Sequence, residues 1–412
     1  MKTEATSSRT SLENSDTMTA VQFLKNKLRG DRYIWLVVLG LSLFSILAVY
    51  SSTIALSFQE ANGNTEYFVL KHIGIMLFGV VMMYLAHLIP YRFYSRISQI
   101  LLWLSIPLLI YTLFFGVEIN DASRWITIPV VNLTFQTSDL ARFALIMYTA
   151  RLLSRKQELV HSFKEAFVPV MLPVGLVCAL IFPDNLSTAS ILFVTCLLLM
   201  FIGRVHFKYI AVTALSGLLL VASIIALSYL MPDVGRFATW QSRLESFTGG
   251  GDVPDQVVVA KTSIAMGGVL GQGPGNSTQV HHFPLAYADY IYALIIEEYG
   301  LLGGIVILLL FLILMYRCIR IVVYAPSSFG ALLAIGLGLS LTIQALINMG
   351  VATSLLPVTG LTLPFISMGG TSLWFTSLSF GIILSVSREI ELLKLQEQGE
   401  LPEDETIHEG IE

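Results

Sequence analysis

The chain has 412 residues, 24 Lys and Arg against 28 Asp and Glu, and a formal net charge of −4. Hydrophobic residues make up 55% and charged residues only 13%, about half of the roughly 25% usual in a soluble domain. With a mean hydropathy of +0.75, that balance excludes a disordered chain and a lone soluble globule, and without a basic excess it excludes nucleic-acid binding.

Residues 1–32 are polar and rich in Ser and Thr. They have no apolar core before Tyr33, so they read as a cytoplasmic tail and not as a cleavable leader. Ten apolar runs follow, at 33–56, 68–89, 97–117, 140–153, 166–182, 188–202, 209–231, 290–316, 329–351 and 364–386. A bilayer core takes about 20 apolar residues per helix, and these runs do not alternate as barrel strands do. The expected fold is therefore an all-α polytopic membrane protein of about ten transmembrane helices over 33–388. Residues 389–412 read as an acidic cytoplasmic tail. Cys178, Cys196 and Cys318 lie in or beside apolar runs and read as buried free thiols.

Loop charge orients the spans. Lys25, Lys27, Arg29 and Arg32 precede the first span, and Arg and Lys recur in every second loop thereafter. The alternate short loops are nearly empty of both, which puts both termini in the cytoplasm. The short fourth run must then cross, because omitting it would invert every later loop. Two outer segments stand out: a loop of about 22 residues around Arg124, and residues 232–289 between helices seven and eight, too long for a mere connector.

Several residues are candidates for chemistry. Asp289 sits where the long outer loop meets a helix, either as a partly desolvated proton acceptor or as a helix cap. Glu297 and Glu298 lie roughly 12 Å further along that helix, lining a polar path or satisfied by neighbouring helices. Asp139 and Arg142 are three apart and share a helical face. Arg124 and Arg142 suit phosphate, and Trp125 suits a membrane interface. The Gly-rich run 267–277 matches neither a Walker loop nor a dinucleotide fingerprint, so it reads as turns and close helix contact. Asp184 reads as a cap. The stretch 356–372, with two Pro and three Gly, reads as a broken segment bordering a cavity. From the residues alone, a transporter and an enzyme acting on a lipid-linked substrate both stand.

Four motifs, in order, resemble the SEDS family of bacterial cell-wall polymerases, the FtsW, RodA and SpoVE group. Arg124-Trp125, Gln136-Thr137-Ser138-Asp139 and Arg142 resemble the family's RW…QPSE..K. Residues 183–189 resemble PD.GTA, 271–300 resemble G.GLG.S.QK…LPEAHTDFIFA…EE.G, and 348–372 resemble N.G…GLLP.TG..LPF.SYGGSS. There are departures. Asp139 and Arg142 replace Glu and Lys together, which keeps the ion pair. Thr137 replaces Pro, and Ser187 replaces Gly. Leu285, Tyr287 and Ala288 replace Glu, His and Thr, so only Asp289 keeps that signature's polar character. Met368 stands for Tyr, and the wording around 275–277 and 357–360 is closer to the division subtype.

The resemblance implies an inverting peptidoglycan glycosyltransferase that polymerises lipid II at the outer face of the bacterial cytoplasmic membrane, for the division septum. Asp289 would be its catalytic base. Arg124, Trp125, Ser138, Asp139, Arg142, Arg243, Lys261, Ser277, Gln279, Ser367, Gly369 and Gly370 would bind substrate and pyrophosphate, with Glu297 and Glu298 as cavity carboxylates. It also implies a possible Mg or Mn ion and no organic cofactor. The expected partners are lipid II, undecaprenyl-pyrophosphate-linked glycan, a class B penicillin-binding protein and other division proteins. A lipid II flippase, a non-catalytic division scaffold and an elongation role are the alternatives.

Overall fold

The computed structural model describes residues 29–53, 56, 64–118, 123–128, 133–230, 236–251, 253–280 and 288–399. Helices lie at all ten apolar runs. They are α1 (Arg32–Ser52), α2 (Thr65–Leu88), α3 (Arg92–Phe115), α4 (Thr137–Arg155), α5 (Val168–Ile181) and α6 (Leu186–Ile202), then α7 (Phe207–Leu230). After two shorter helices come α10 (Ile291–Tyr324), α11 (Ser328–Ala352) and α12 (Gly370–Glu397). Among the described residues, eight are long and apolar enough to cross a membrane; α5 reaches that length with the π-turn before it, Phe163–Ile181. Helix α6 is apolar but only 17 residues long. Helix α4 is 19 residues long, much more polar, and enclosed by its neighbours.

Local chemistry explains where the helices begin. Asp31 caps α1 by accepting from the Tyr33 amide at 2.9 Å, Asn64 caps α2, and Ser327 caps α11. Asn185, not the expected Asp184, caps α6, accepting from the Thr188 amide at 3.1 Å. Each supplies an oxygen to an amide the helix cannot satisfy itself. Cys196 and Cys318 are buried, Cys178 is partly buried, and all three are free thiols.

Burial sorts the helices by depth. Helix α11 is buried over 78% of its most apolar window and α12 over 72%, whereas α7 is buried over only 6%. With no membrane present, α7 is therefore a helix whose apolar surface faces outward almost all round, as lipid allows. The centre is built from α4, α11 and α12, with the first turns of α10, residues 291–298, buried among them.

Three features differ from the all-α, loop-connected expectation. The loop around Arg124 forms a small antiparallel sheet of β1 (Val117–Glu118), β2 (Ser123–Ile128) and β3 (Leu133–Gln136). Trp125 pairs with Gln136 across it. The long outer segment contains two helices, α8 (Phe237–Thr248) and α9 (Asp255–Gly267). Helix α12 continues to Glu397, so the first nine residues of the expected acidic tail are helical. Residues 1–28 and 400–412 of the two expected tails lie outside the described residues.

Candidate active site

The outer end of the bundle is organised around the break between α11 and α12. Residues 353–369 carry no regular helix. Such backbone inside a membrane protein must be satisfied by protein or water, and here side chains from three other elements do it. Arg243 of α8 donates to the Val358 carbonyl at 3.3 Å. On α11, Asn348 donates to the Leu361 carbonyl at 2.6 Å, and Gln344 to that of Thr362 at 2.9 Å. Ser45 of α1 donates to the Ile366 carbonyl at 2.9 Å, and Thr371 at the start of α12 donates to Thr134 of β3 at 3.4 Å. Gln344 and Asn348 are four apart, so one face of α11 presents both amides to the segment. Within the segment Phe365 is held at φ 66°, a costly conformation for a residue with a Cβ, and its buried ring packs edge-on against Phe380.

Asp289 is fastened to this segment. Its carbonyl accepts a second bond from Asn348 at 2.8 Å, and the carbonyl of Ala288 accepts from Ser367 at 2.6 Å. Its carboxylate faces Gly360, where a Cβ would stand 3.7 Å from Oδ2. Tyr290, not Asp289, holds the N-cap position of α10, and the Tyr290 side chain makes no capping bond. Asp289 is partly exposed. Its charge acts on Arg243, whose pKa burial and Arg236 lower and Asp289 supports. Burial first and the Asp289 charge second push the Tyr290 hydroxyl up to about 12, so it stays protonated beside the carboxylate.

Arg243 and Lys261 line one cavity of about 60 Å³ with Pro357 and Val358, which brings both cations to the broken segment. Arg236 is turned elsewhere, donating to the Asp184 carbonyl at 2.6 Å. Asp139 and Arg142 form the expected i,i+3 pair at 3.6 Å, both buried. Arg142 also donates to Gln344, which links the pair to Thr362 through α11. Ser138 accepts from the Gln136 side chain at 3.0 Å. Gly369 caps α12 and Gly370 begins it, beside the Thr134 carbonyl of β3. Arg124 lies on β2, and the half-buried Trp125 follows it.

Ser277, Gln279, Glu297 and Glu298 lie in a different arrangement. Helix α10 is interrupted at Gly300, with φ 69° and ψ −175°, and the Gly-rich run docks into the interruption. A Cβ on Gly300 would stand 2.2 Å from the Val269 carbonyl, and one on Gly271 would stand 2.2 Å from that of Glu298. No side chain fits there, which is the physical reason for glycine at both positions. The amides of Gln272 and Gly273 donate to the carbonyls of Glu297 and Glu298, each at 2.9 Å.

The Glu297 carboxylate accepts from Ser277 Oγ at 2.8 Å, from the Thr278 amide at 2.9 Å, from Thr278 Oγ1 at 3.2 Å and from the Gln279 amide at 3.2 Å. Glu298 accepts from Ser51 of α1. Both carboxylates are buried at 0% and 1% exposure with their oxygens engaged, so the structure places them as a brace between loop and helix and not on a cavity wall. Ser277 and Gln279 serve that brace.

Asn348 and Gln344 hold the site, Ser51 holds the Glu298 brace, and none of the three was among the candidates. A polar signal existed for the first two. Each is an amide in an otherwise apolar span, which is expensive unless partnered.

The sequence model of the FtsW/RodA/SpoVE family, described as a cell cycle protein, matches residues 31–392. Among curated proteins, the chain is 32% identical over 375 residues to a probable peptidoglycan glycosyltransferase FtsW of Trichlorobacter lovleyi, covering 89% of this chain and 95% of that one. It is 31% identical over 372 residues to the stage V sporulation protein E of Bacillus subtilis, covering 88% and 98%. Among solved structures, it superposes with a TM-score of 0.71 on a chain from work on polymerization and crosslinking by a peptidoglycan synthase complex. That likeness covers 88% of this chain and 98% of that one, at 22% identity, and establishes the shared fold.

Proposed function

We propose that this chain, which belongs to the FtsW/RodA/SpoVE family and is a multi-pass membrane protein, polymerises lipid II into peptidoglycan glycan strands. The observation that carries the reading is the placement of Asp289. A carboxylate is held by its backbone to a satisfied membrane break, partly exposed, with the partly buried cation Arg243 within electrostatic reach. The relatives named as peptidoglycan glycosyltransferases support the reaction class.

Chemically, the 4-hydroxyl of the acceptor sugar attacks the anomeric carbon of the donor. The bond to undecaprenyl pyrophosphate breaks with inversion, and Asp289 takes the hydroxyl proton. A positioned base contributes about 10²–10⁴-fold. Pyrophosphate leaves as an anion, so the site needs positive charge more than a second carboxylic acid. In this reading Arg243 and Lys261, which line one cavity, supply it, with Arg124 of β2 as a further candidate. Asp139 and Arg142 act through Gln344 as positioning residues for the broken segment.

Among the described residues no three His, Cys, Asp or Glu side chains gather as a metal cage. A Mg or Mn ion would then rest on one carboxylate and the substrate's phosphates, and no step above passes through one. The reaction would run at the outer face of the cytoplasmic membrane, at the septum, beside a class B penicillin-binding protein transpeptidase. The solved likeness from a peptidoglycan synthase complex supports such a partner. The test is polymerisation of labelled lipid II by purified protein with that transpeptidase. Wild type should form strands and folded Asp289→Asn should not. Normal polymerisation by the variant would refute the base assignment, and no strands from wild type would refute the activity.

A further inference from the structure

At the opposite end of α10 from Asp289, the start of α1 and the last turns of α10 and α12 enclose a cleft of about 300 Å³. Its lining carries four basic side chains, Arg32, Arg317, Arg320 and Lys394, and two acidic ones, Asp31 and Glu391, a net charge of +2. Both carboxylates are engaged. Asp31 pairs with Arg317 at 2.5 Å and caps α1, while Glu391 accepts from the Gly30 amide at 2.5 Å. Among the described residues, no carboxylate lies within 4 Å of Arg32, Arg320 or Lys394.

Two of those cations are gathered on one ring. Lys394 Nζ sits 4.3 Å from the centroid of Tyr324 and the Arg320 guanidinium 5.2 Å from it. Arg320 also donates to the hydroxyls of Tyr316 and Tyr324 at 3.4 and 3.3 Å. Holding like charges together on an open cleft is costly unless an anion lies between them. The cleft's flanks are apolar. Leu36 of α1, one turn from Tyr33, is 60% exposed, and Tyr316 of α10, one turn from Arg320, is 53% exposed.

We infer that this cleft binds the headgroup phosphate of an anionic phospholipid of the cytoplasmic leaflet, with its acyl chains along the outward faces of α1 and α10. Loop charge places this end of the bundle in the cytoplasm, where anionic lipid faces basic juxtamembrane residues. The volume admits a phosphate and its glycerol, since it is many times the roughly 30 Å³ share of one water. The site stands whether or not the chain polymerises lipid II, because it rests on a different end of the molecule.

The test is native mass spectrometry of the delipidated full-length protein in detergent, titrated with phosphatidylglycerol, with phosphatidylcholine, and with soluble glycerol 3-phosphate. Arg320→Gln/Lys394→Gln changes two exposed side chains. Arg204→Gln/Lys208→Gln, two exposed residues before and at the start of α7, is the control pair. Each cation near an anionic lipid surface contributes about fivefold, so the first pair should weaken phosphatidylglycerol binding about 30-fold. The control pair should leave that binding unchanged, and phosphatidylcholine should bind equally weakly to every form. Equal weakening by both pairs, or none by the first, overturns the site. Glycerol 3-phosphate binding as tightly as the lipid overturns the lipid assignment in favour of a soluble phosphate.

Discussion

Replacing Asn348 by Ala removes one amide and two hydrogen bonds, to the carbonyls of Asp289 at 2.8 Å and Leu361 at 2.6 Å. The side chain is 1% exposed and the Leu361 carbonyl is buried with it, whereas the Asp289 carbonyl is part-buried. A buried polar group left unsatisfied costs about 1–3 kcal/mol, so the loss is at least about that much. Part of that cost appears as displacement. The Asp289 backbone loses its tie to α11, and a misplacement of about 1 Å in a reacting group lowers rates about 10²-fold. Two measurements check this: thermal unfolding of the purified variant in detergent, and the initial rate of lipid II polymerisation. Both should fall, the rate by about two orders of magnitude. Ser367→Ala frees the neighbouring Ala288 carbonyl. Because both side chains restrain consecutive residues, their effects should be non-additive by about 0.5–3 kcal/mol in a double-mutant cycle. An Asn348→Ala protein with wild-type unfolding temperature and rate would refute the idea that these bonds set the position of Asp289.

Arg142→Ala leaves the buried Asp139 carboxylate without its cation and should destabilise by about 3–5 kcal/mol; Asp139→Ala/Arg142→Ala should be milder than that single change, as detergent unfolding will show. Gly300→Ala drives a Cβ to within 2.2 Å of the Val269 carbonyl at a positive φ and should cost at least about 1–3 kcal/mol, lowering the unfolding midpoint and the folded yield. Glu297→Gln keeps the side chain's shape but loses charge-assisted bonds from Ser277, Thr278 and Gln279. It should lower stability by about 1–3 kcal/mol while the folded fraction keeps its polymerisation rate, whereas a rate collapse at normal stability would place Glu297 in the chemistry.

Much of the architecture was already written in short-range features of the sequence. The ten apolar runs all appear as helices because span length and composition are local quantities that the bilayer reads directly. The Asp139–Arg142 pair was legible because three residues on a helix always share a face. The break at 353–369 announced itself through its Pro and Gly content. Asp289 came from a motif, but its surroundings did not.

What the tertiary structure alone decided is which distant groups meet. Ser45 finds the Ile366 carbonyl across 321 positions, and Asn348 finds Asp289 across 59. No periodicity encodes such pairings. The Gly-rich run reads as turns and close helix contact, but which helix it meets is decided only where α10 opens at Gly300 and accepts it. Glu297 and Glu298 could line a polar path or be satisfied by neighbours until their oxygens are counted against the donors of the loop and of Ser51. The cleft of Arg320 and Lys394 exists only because the ends of three helices converge. For the buried pairings the deciding term is the cost of an unsatisfied charge or carbonyl. That cost is settled by which groups arrive from elsewhere in the chain, and only the packed fold brings them.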